Sequence, residues 1–390
     1  MTTTKEQPSL WKAIEGTIEE IRPELTGLSH DIHGNPELSG EEVFARKAAM
    51  RLLKQHGFDA DGEQPSAPTA FSMRKGSGEL MVTYCVEYDA LPNIGHGCGH
   101  NVNAAASVGA AIALSSIWRE LDVTVHVLGT PAEENIGGKV DLIEEGFFNQ
   151  SHIALMAHAS ANDIVGSSSL ALNAWDATYR GKAAHAAAAP ALGINALDAI
   201  NIAQHAIALL RQQLPPGSIV STIVLEGGES VNVIPDRTTL RIEMRAPDSI
   251  QLEAINQRVR NCLEAGALAS GCNLRTEQLG HTFAELRQDQ DLSAAYAAAL
   301  QGRGRHAVFD SCAVASTDMG NVSHQVPTIH PMIGYEVNGA AHHTEEFARY
   351  GTSPQADSAL VDAAYALAGA VLLAATDEKQ RLRLINHLSK

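Results

Sequence analysis

The sequence predicts an α/β fold with a smaller α+β domain inserted into it. Three observations lead there. Short apolar runs alternate with helical patterns as far as Met156, as in a mostly parallel sheet with helices on both faces. From about Trp175 the order becomes strand, helix, strand, strand, helix, strand, which is the ferredoxin-like arrangement. After about residue 283 the first texture returns and ends in an alanine-rich helix. A discontinuous domain built from residues 1–174 and 283–390 therefore encloses an insertion over residues 175–282.

Each element has a local reason. Ile14, Ile18, Ile21, Leu25, Leu28 and Ile32 follow helical spacing with one apolar face, and Pro23 is expected to kink that helix or end its first part. Ser39 to Glu42 reads as a capping box before a second helix, with Gly57 just past its end. Leu80 to Val86 (LMVTYCV) reads as a buried strand. It leads into the turn-rich loop DALPNIGHGCGHN and an alanine-rich helix from about Ala104 to Trp118. Val123 to Leu128 is the next strand, followed by the loop TPAEENIGG and a helix around Lys139 to Glu145. Ile153 to Met156 is a third strand, ending in Ala157 and His158. In the insertion, the strand WDATYR precedes a glycine loop and a helix from Gly193 to Leu214. Strands at Ile219 to Leu225 and Thr238 to Arg245, a helix at Ser249 to Ala269 and a strand at Asn273 to Gln278 complete it. The terminal helix is expected over Ser358 to Thr376.

The 390 residues carry 28 basic and 45 acidic side chains, a formal charge of −17. Nucleic acid and anionic membrane are therefore not expected partners, because phosphate recognition needs clustered Lys and Arg. The N-terminus lacks a basic segment followed by an apolar run, so a secretory signal is not expected. The weakly polar stretch from Val102 to Ser116 is too short to span a bilayer. Cys85, Cys98, Cys262, Cys272 and Cys312 are widely spaced and form no CxxC pair, so free thiols in a reducing cytoplasm are expected. The 17 histidines are the one compositional excess, and only their placement can give it meaning.

In parallel α/β sheets, ligands collect in loops at the carboxyl ends of the strands. Three such loops carry metal-donor side chains: GHGCGHN with Cys98 and His100, PAEEN with Glu133 and Glu134, and the strand end at His158. A fourth segment, GAAHHTEEF, offers His342 and His343. Singly, each has a bland reading: a glycine-rich turn, solvated loop carboxylates ahead of a helix, an ordinary histidine. Four segments together supplying thiolate, imidazole and carboxylate suit zinc or another first-row divalent ion. With a cation present, one carboxylate of the doublet can ligate it while the other takes a proton from water. HExxH, GxSxG and GxxxxGK[ST] motifs are absent. Gly137-Gly138-Lys139 and Gly181-Lys182 lack the spacing of a phosphate loop.

In order along the chain, EYDALP, GHGCGHN, PAEENIGG, AHAS, GKAAHAAAAP, NVIPD, Arg245-Ala246-Pro247 and HHTEEF resemble the M20 metallopeptidase and aminoacylase family, in particular its amidohydrolase branch. The resemblance covers nearly the whole chain. It implies a catalytic α/β domain (1–174 and 283–390) with a ferredoxin-like lid (175–282) that also forms a homodimer. It implies two divalent ions per subunit, zinc or manganese or cobalt, held by Cys98, His100, Glu134, His158 and His343. His343 is preferred to His342 because its offset to Phe347 matches the family's His-x-x-x-Phe. Glu133 is implied as general base for a water bridging the metals, and then as the acid that protonates the leaving amine. His185 is implied as a lid histidine that helps stabilise the oxyanion in the partner subunit. Asn232 and Arg245 are implied as substrate contacts, with Arg237 and Arg241 as competitors to Arg245. Glu87-Tyr88-Asp89 stands where other branches carry His-x-Asp, which implies one ligand fewer and Asp89 beside the metal ligands. Asn101 stands where the branch often has Asp, and with HTEEF leans towards the dipeptidase and aminobenzoyl-glutamate-hydrolase side.

The function so implied is hydrolysis of the amide bond of a small N-acyl or N-aroyl amino acid or an unusual dipeptide. Two rivals keep the same residues: an aryl-amine aminohydrolase that releases ammonia, and a non-catalytic member that binds a ligand through the lid.

Overall fold

In the computed structural model, residues 7–313 and 315–389 are described. The chain divides into two compact units. One comprises the residues up to Ser168, Leu286–Cys312 and those from Asp318 on; the other comprises Ser169–Glu285 with Ala313–Thr317.

The first unit is organised by a six-stranded sheet in the order Asp59–Ala60, Phe71–Gly76, Val123–Gly129, Leu80–Val86, Ile153–Leu155, Thr328–Ile329. The last three pairings are parallel, and Asp59–Ala60 and Phe71–Gly76 form an antiparallel edge. That edge was not expected. FSMRKG carries Arg74, Lys75 and Gly76 at its outer end, where exposure lets polar residues replace the apolar run of a central strand.

The helix His100–Ser115 is buried along its whole length and packs between Gln7–Gly34 and Pro354–Thr376. Its run of Ala, Gly and Ser lets three helices approach closely. It also starts four residues earlier than the alanine pattern suggests, so His100 is its first residue. Gln7–Gly34 buries Ile14, Ile18, Ile21, Leu25 and Ile32, and continues through Pro23 rather than ending there. Pro354–Thr376 is long and apolar enough to cross a membrane, but its apolar residues are buried within this core.

The expected capping box does not form. Glu42 makes no side-chain cap bond, and its Oε1 instead accepts from Ala132 N at 2.8 Å. Ser39 donates to Asp89 Oδ2 at 2.8 Å. The Glu37 carboxylate caps the helix Val43–Gln55, accepting from Phe44 N and Ala45 N. Residues that look like local caps are thus used for long-range contacts around the 89 and 132 loops.

A second small sheet runs Val308–Phe309, Ile164–Val165, Met332–Gly334, His158–Ser160. His158 therefore opens a strand of its own just past Ile153–Leu155, and Asn103 Oδ1 anchors that strand by accepting from Ala159 N at 2.8 Å.

The second unit has the ferredoxin-like order Asn273–Gln278, Ala171–Arg180, Arg237–Ala246, Ile219–Glu226, all antiparallel. Ala171, Asn173, Trp175, Ala177 and Tyr179 alternate inward. The helices Ala196–Leu210 and Ser249–Ser270 cover that face. Ile219–Glu226 is an edge strand with Ile219, Ile223, Val224 and Leu225 exposed.

Candidate metal centre

The strand Leu80–Val86 runs directly into Glu87, Tyr88 and Asp89, and all three are buried. Asp89 is the organiser. Its main-chain carbonyl and Oδ1 lie 2.9 and 3.1 Å from His100 Nδ1, and its Oδ2 accepts from Glu134 N at 3.0 Å and from Ser39 Oγ at 2.8 Å. Burial raises its pKa, but the His100 bond and charge, the Glu134 amide and the Ser39 hydroxyl prevail and hold it at about 2. An ionised Asp89 holds a proton of His100 on Nδ1 and turns Nε2 into the cluster, as in metal-ligating histidines. Against its burial, Asp89, Glu87 and Glu134 raise the His100 pKa, so a cation at Nε2 would stand in place of a proton.

Gly99 makes this possible. It sits before the helix with φ +73, and a Cβ there would lie 2.5 Å from the Ala159 Cβ. Cys98 and His100 are thereby placed on either side of a left-handed turn that passes against the His158 strand.

Donor atoms of Cys98, His100 and Glu134 lie within 4.8 Å of one another, as do those of Glu87, His100 and His158. Among the described residues, His100 Nε2, Glu134 Oε1 and Glu87 Oε2 are buried without a hydrogen-bond partner. His158 Nδ1 is 2.8 Å from the Ala159 carbonyl, which leaves its Nε2 as the free acceptor. Orphaned imidazole and carboxylate atoms converging beside a buried thiol fit a divalent cation and are costly otherwise. The thiol of Cys98 is pushed far up, by burial first and then by Glu134, so it ionises only with a cation beside it.

The two neighbouring histidines differ. His342 Nε2 is 3.0 Å from the Ala159 carbonyl, and its ring packs on Phe347 with centroids 4.4 Å apart. His343 has φ +63, donates its backbone N–H to Gly97 O at 3.1 Å, and places Nε2 3.7 Å from Glu134 Oε2. His343 is thus the one whose ring nitrogen faces the Cys98–His100–Glu134 group.

Behind this group lies a charged layer that spacing alone does not disclose. Lys139, fully buried, donates to Glu87 Oε1 and to Asp318 Oδ1, the latter at 2.7 Å, and its backbone N–H reaches Asp318 Oδ2 at 3.0 Å. Carboxylate oxygens of Glu87, Glu133 and Asp318 lie within 4.8 Å of one another. Burial raises the Glu133 pKa well above that of a free carboxyl, and repulsion from Glu87, Glu134 and Asp318 adds to it. A raised carboxyl is the state a proton-transferring group needs near neutral pH. His330 is also buried with both ring nitrogens unpartnered, its centroid 5.4 Å from that of His158. Burial, with Lys139 next, lowers its pKa to about 3, so it is neutral.

Glu87, Lys139, Asp318 and His330 were not among the expected site residues. Glu87 lies in the segment expected to supply one ligand fewer, and its free oxygen stands 3.7 Å from His100 Nε2. Asn101, by contrast, is structural: its amide donates to Ser29 Oγ and Gly351 O, both at 2.8 Å.

His185, Asn232 and Arg245 belong to the second unit. His185 is exposed and its Nδ1 accepts from Ala187 N and Ala188 N at 3.2 and 3.1 Å, so the neutral ring carries its proton on Nε2. Asn232 is held beside it by Ala186 N→Asn232 O at 2.9 Å, with Ser230 Oγ on its side-chain oxygen. Arg245 is half-buried and pairs with Glu243 at 2.8 Å and with Ser316 Oγ at 3.3 Å. Arg241 is committed to Asp176.

Residues 171–270 match the peptidase dimerisation domain family. The chain is 37% identical over 369 residues to the Xaa-Arg dipeptidase of Mus musculus, covering 90% of this chain and 85% of that protein. It is 30% identical over 281 residues to one component of the p-aminobenzoyl-glutamate hydrolase of Escherichia coli K12, covering 66% of this chain and 58% of that one. Its fold is similar to that of the Bacillus subtilis YXEP protein, described as a dinuclear metal-binding peptidase from the M20 family. The TM-score is 0.69 at 21% identity, over 91% of this chain and 98% of the other.

Proposed function

The chain belongs to the M20 metallopeptidase and aminoacylase family and is a metal-dependent amidohydrolase, and from that premise we propose that it hydrolyses the amide bond of dipeptides and of N-acyl or N-aroyl amino acids, dipeptides ending in arginine first among them. The observation that carries this reading is the buried convergence of Cys98, His100 and Glu134 donor atoms within 4.8 Å, with the raised carboxyl of Glu133 next in the chain. We assign Cys98, His100, Glu134, His158 and His343 to hold two divalent ions, zinc or manganese. When bound, these cations supply a lowered water pKa and polarise the scissile carbonyl.

Glu133 accepts the proton of the attacking water and returns it to the departing nitrogen. Its raised pKa lets one group perform both transfers near neutrality. Asp89 keeps the His100 ring in the tautomer that faces the cluster. On the lid, His185 carries its donor proton on Nε2 and presents it to the developing oxyanion of a partner subunit's substrate. Asn232 and Arg245 are assigned to the substrate, Arg245 exchanging its Glu243 partner for a carboxylate. The exposed edge strand Ile219–Glu226 is assigned to the homodimer.

The test is Glu133→Gln, assayed by amine release from Xaa-Arg dipeptides, N-acyl amino acids and aminobenzoyl-glutamate, with ammonia measured in parallel. The variant is expected to keep its fold and metal content and to lose roughly 10²–10⁴ in turnover. Wild-type turnover in the variant, or ammonia in place of amine, sinks the assignment.

A further inference from the structure

We propose that Glu87 is a sixth protein ligand of the metal centre, donating Oε2 beside His100 and His158, and that Lys139 is the positioning residue that aims it. The inference rests on the metal-centre reading above and adds to its ligand set.

Four observations meet at this carboxylate. Donor atoms of Glu87, His100 and His158 lie within 4.8 Å of one another. Glu87 is 1% exposed, and its Oε2 and His100 Nε2, 3.7 Å apart, are both buried without a hydrogen-bond partner. The opposite ring nitrogens of both histidines are engaged, His100 Nδ1 by Asp89 and His158 Nδ1 by the Ala159 carbonyl, so both Nε2 atoms are the ones left to face a cation. Finally, Oε1 of Glu87 is tied down by Lys139, which Asp318 in turn holds.

The division of labour between the two oxygens is the point. A carboxylate present only to neutralise Lys139 has a rival already in place, since Asp318 accepts from both the ammonium and the backbone amide of Lys139. One ammonium then faces Glu87, Asp318 and the nearby Glu133, leaving surplus negative charge among fully buried groups. Buried anions of this kind are sustained by pairing or by coordinating metal. With Oε1 on an ammonium fixed at two points, Oε2 is held in one direction, towards His100 and His158. That is how an outer group orients a ligand.

The experiment uses the full chain, stripped with chelator and titrated with cobalt(II). Visible absorption reports coordination, and elemental analysis reports stoichiometry. In Glu87→Gln the amide oxygen still accepts from Lys139, which preserves the fold. The expected result is that one of two cobalt equivalents binds about 10–100-fold more weakly, with altered d–d bands. Lys139→Met is expected to weaken the same equivalent, and Lys139→Arg to restore it. If Glu87→Gln does not fold, the double variant Glu87→Gln with Lys139→Gln removes both charges together and is read in the same way. Wild-type affinity and spectrum for both equivalents in a folded Glu87 variant overturn the inference and leave the five-ligand centre intact. A wild-type chain that binds no cobalt overturns the metal reading itself, and the inference with it.

Discussion

Gly99→Ala tests how far the metal centre depends on one backbone conformation. The residue sits at φ +73, ψ 26, where an L side chain costs about 1–2 kcal/mol. Its new Cβ would also lie 2.5 Å from the Ala159 Cβ and 3.2 Å from Tyr335 Oη. Overpacking of this kind typically adds about 1–3 kcal/mol, for a total of about 2–5 kcal/mol. Ala159 cannot retreat easily, because Asn103 holds its N–H and both His158 and His342 sit on its carbonyl. The strain must then move Gly99, and with it Cys98 and His100. Gly304→Ala is the control: its φ is +78, but nothing lies within 4 Å of the added Cβ, so only the conformational part, about 1–2 kcal/mol, applies. Because the chain has two units, a single unfolding transition is not the right measure. Native-state hydrogen exchange at the buried amides of the helix His100–Ser115 reports the first unit directly, and a cobalt titration reports the ligand loop. If Gly99→Ala loses no more protection than Gly304→Ala and binds cobalt with unchanged affinity, the turn is not what places these ligands.

Two further expectations concern regions away from the metal. His126 is buried between Ser72 Oγ and Thr83 Oγ1, at 2.9 and 3.0 Å, and burial lowers its pKa to about 4. A base whose folded pKa lies below its ordinary 6.5 binds fewer protons folded than unfolded between those values. Its contribution is therefore complete above about pH 6.5 and is lost as the pH falls towards 4, on the order of 3 kcal/mol. His126→Gln should flatten stability against pH in that window by about one proton; equal slopes in the two proteins refute it. Ile223, more than half exposed on the edge strand Ile219–Glu226, should convert the proposed homodimer to monomers when changed to Lys, read by analytical ultracentrifugation. A dimer that survives the change places the interface elsewhere.

What could be read from sequence followed the range of the interactions. The ferredoxin-like insertion was legible because each strand and helix carries its own period, as in the inward alternation of Ala171 to Tyr179. The strand Phe71–Gly76 was not, because a strand next to the sheet edge, covered on its outer side only by Asp59–Ala60 and ending in Arg, Lys and Gly, lacks the apolar run of a central one. Ser39 and Glu42 misled for a different reason: their capping chemistry is real, but Asp89 and Ala132 compete for it from 50 and 90 residues away and win. At the site, the convergence of Cys98, His100 and Glu134 was legible because loop motifs concentrate metal-donor side chains. Lys139 and Asp318 lie 179 residues apart, and neither stands in a donor-rich motif. Only the fold brings them together, and nothing in the spacing of a lone lysine after two glycines announces a buried ammonium.

Charge explains why these layers belong to one device. Glu87, Asp89, Glu133, Glu134 and Asp318 are five carboxylates gathered around His100 and Lys139. With Lys139 as the ammonium, the ionised set carries a formal minus four, and minus five once Cys98 is a thiolate. No buried space of this size sustains such a charge through hydrogen bonds alone. The two divalent cations proposed for the centre reduce it to minus one. Proton transfer from water to Glu133 leaves that total unchanged and moves one negative charge from the carboxylate to the hydroxide that forms. The raised pKa of Glu133 and the anionic excess of the layer behind it are thus one property. Removing a single carboxylate from that layer should lower the Glu133 pKa and weaken metal binding together.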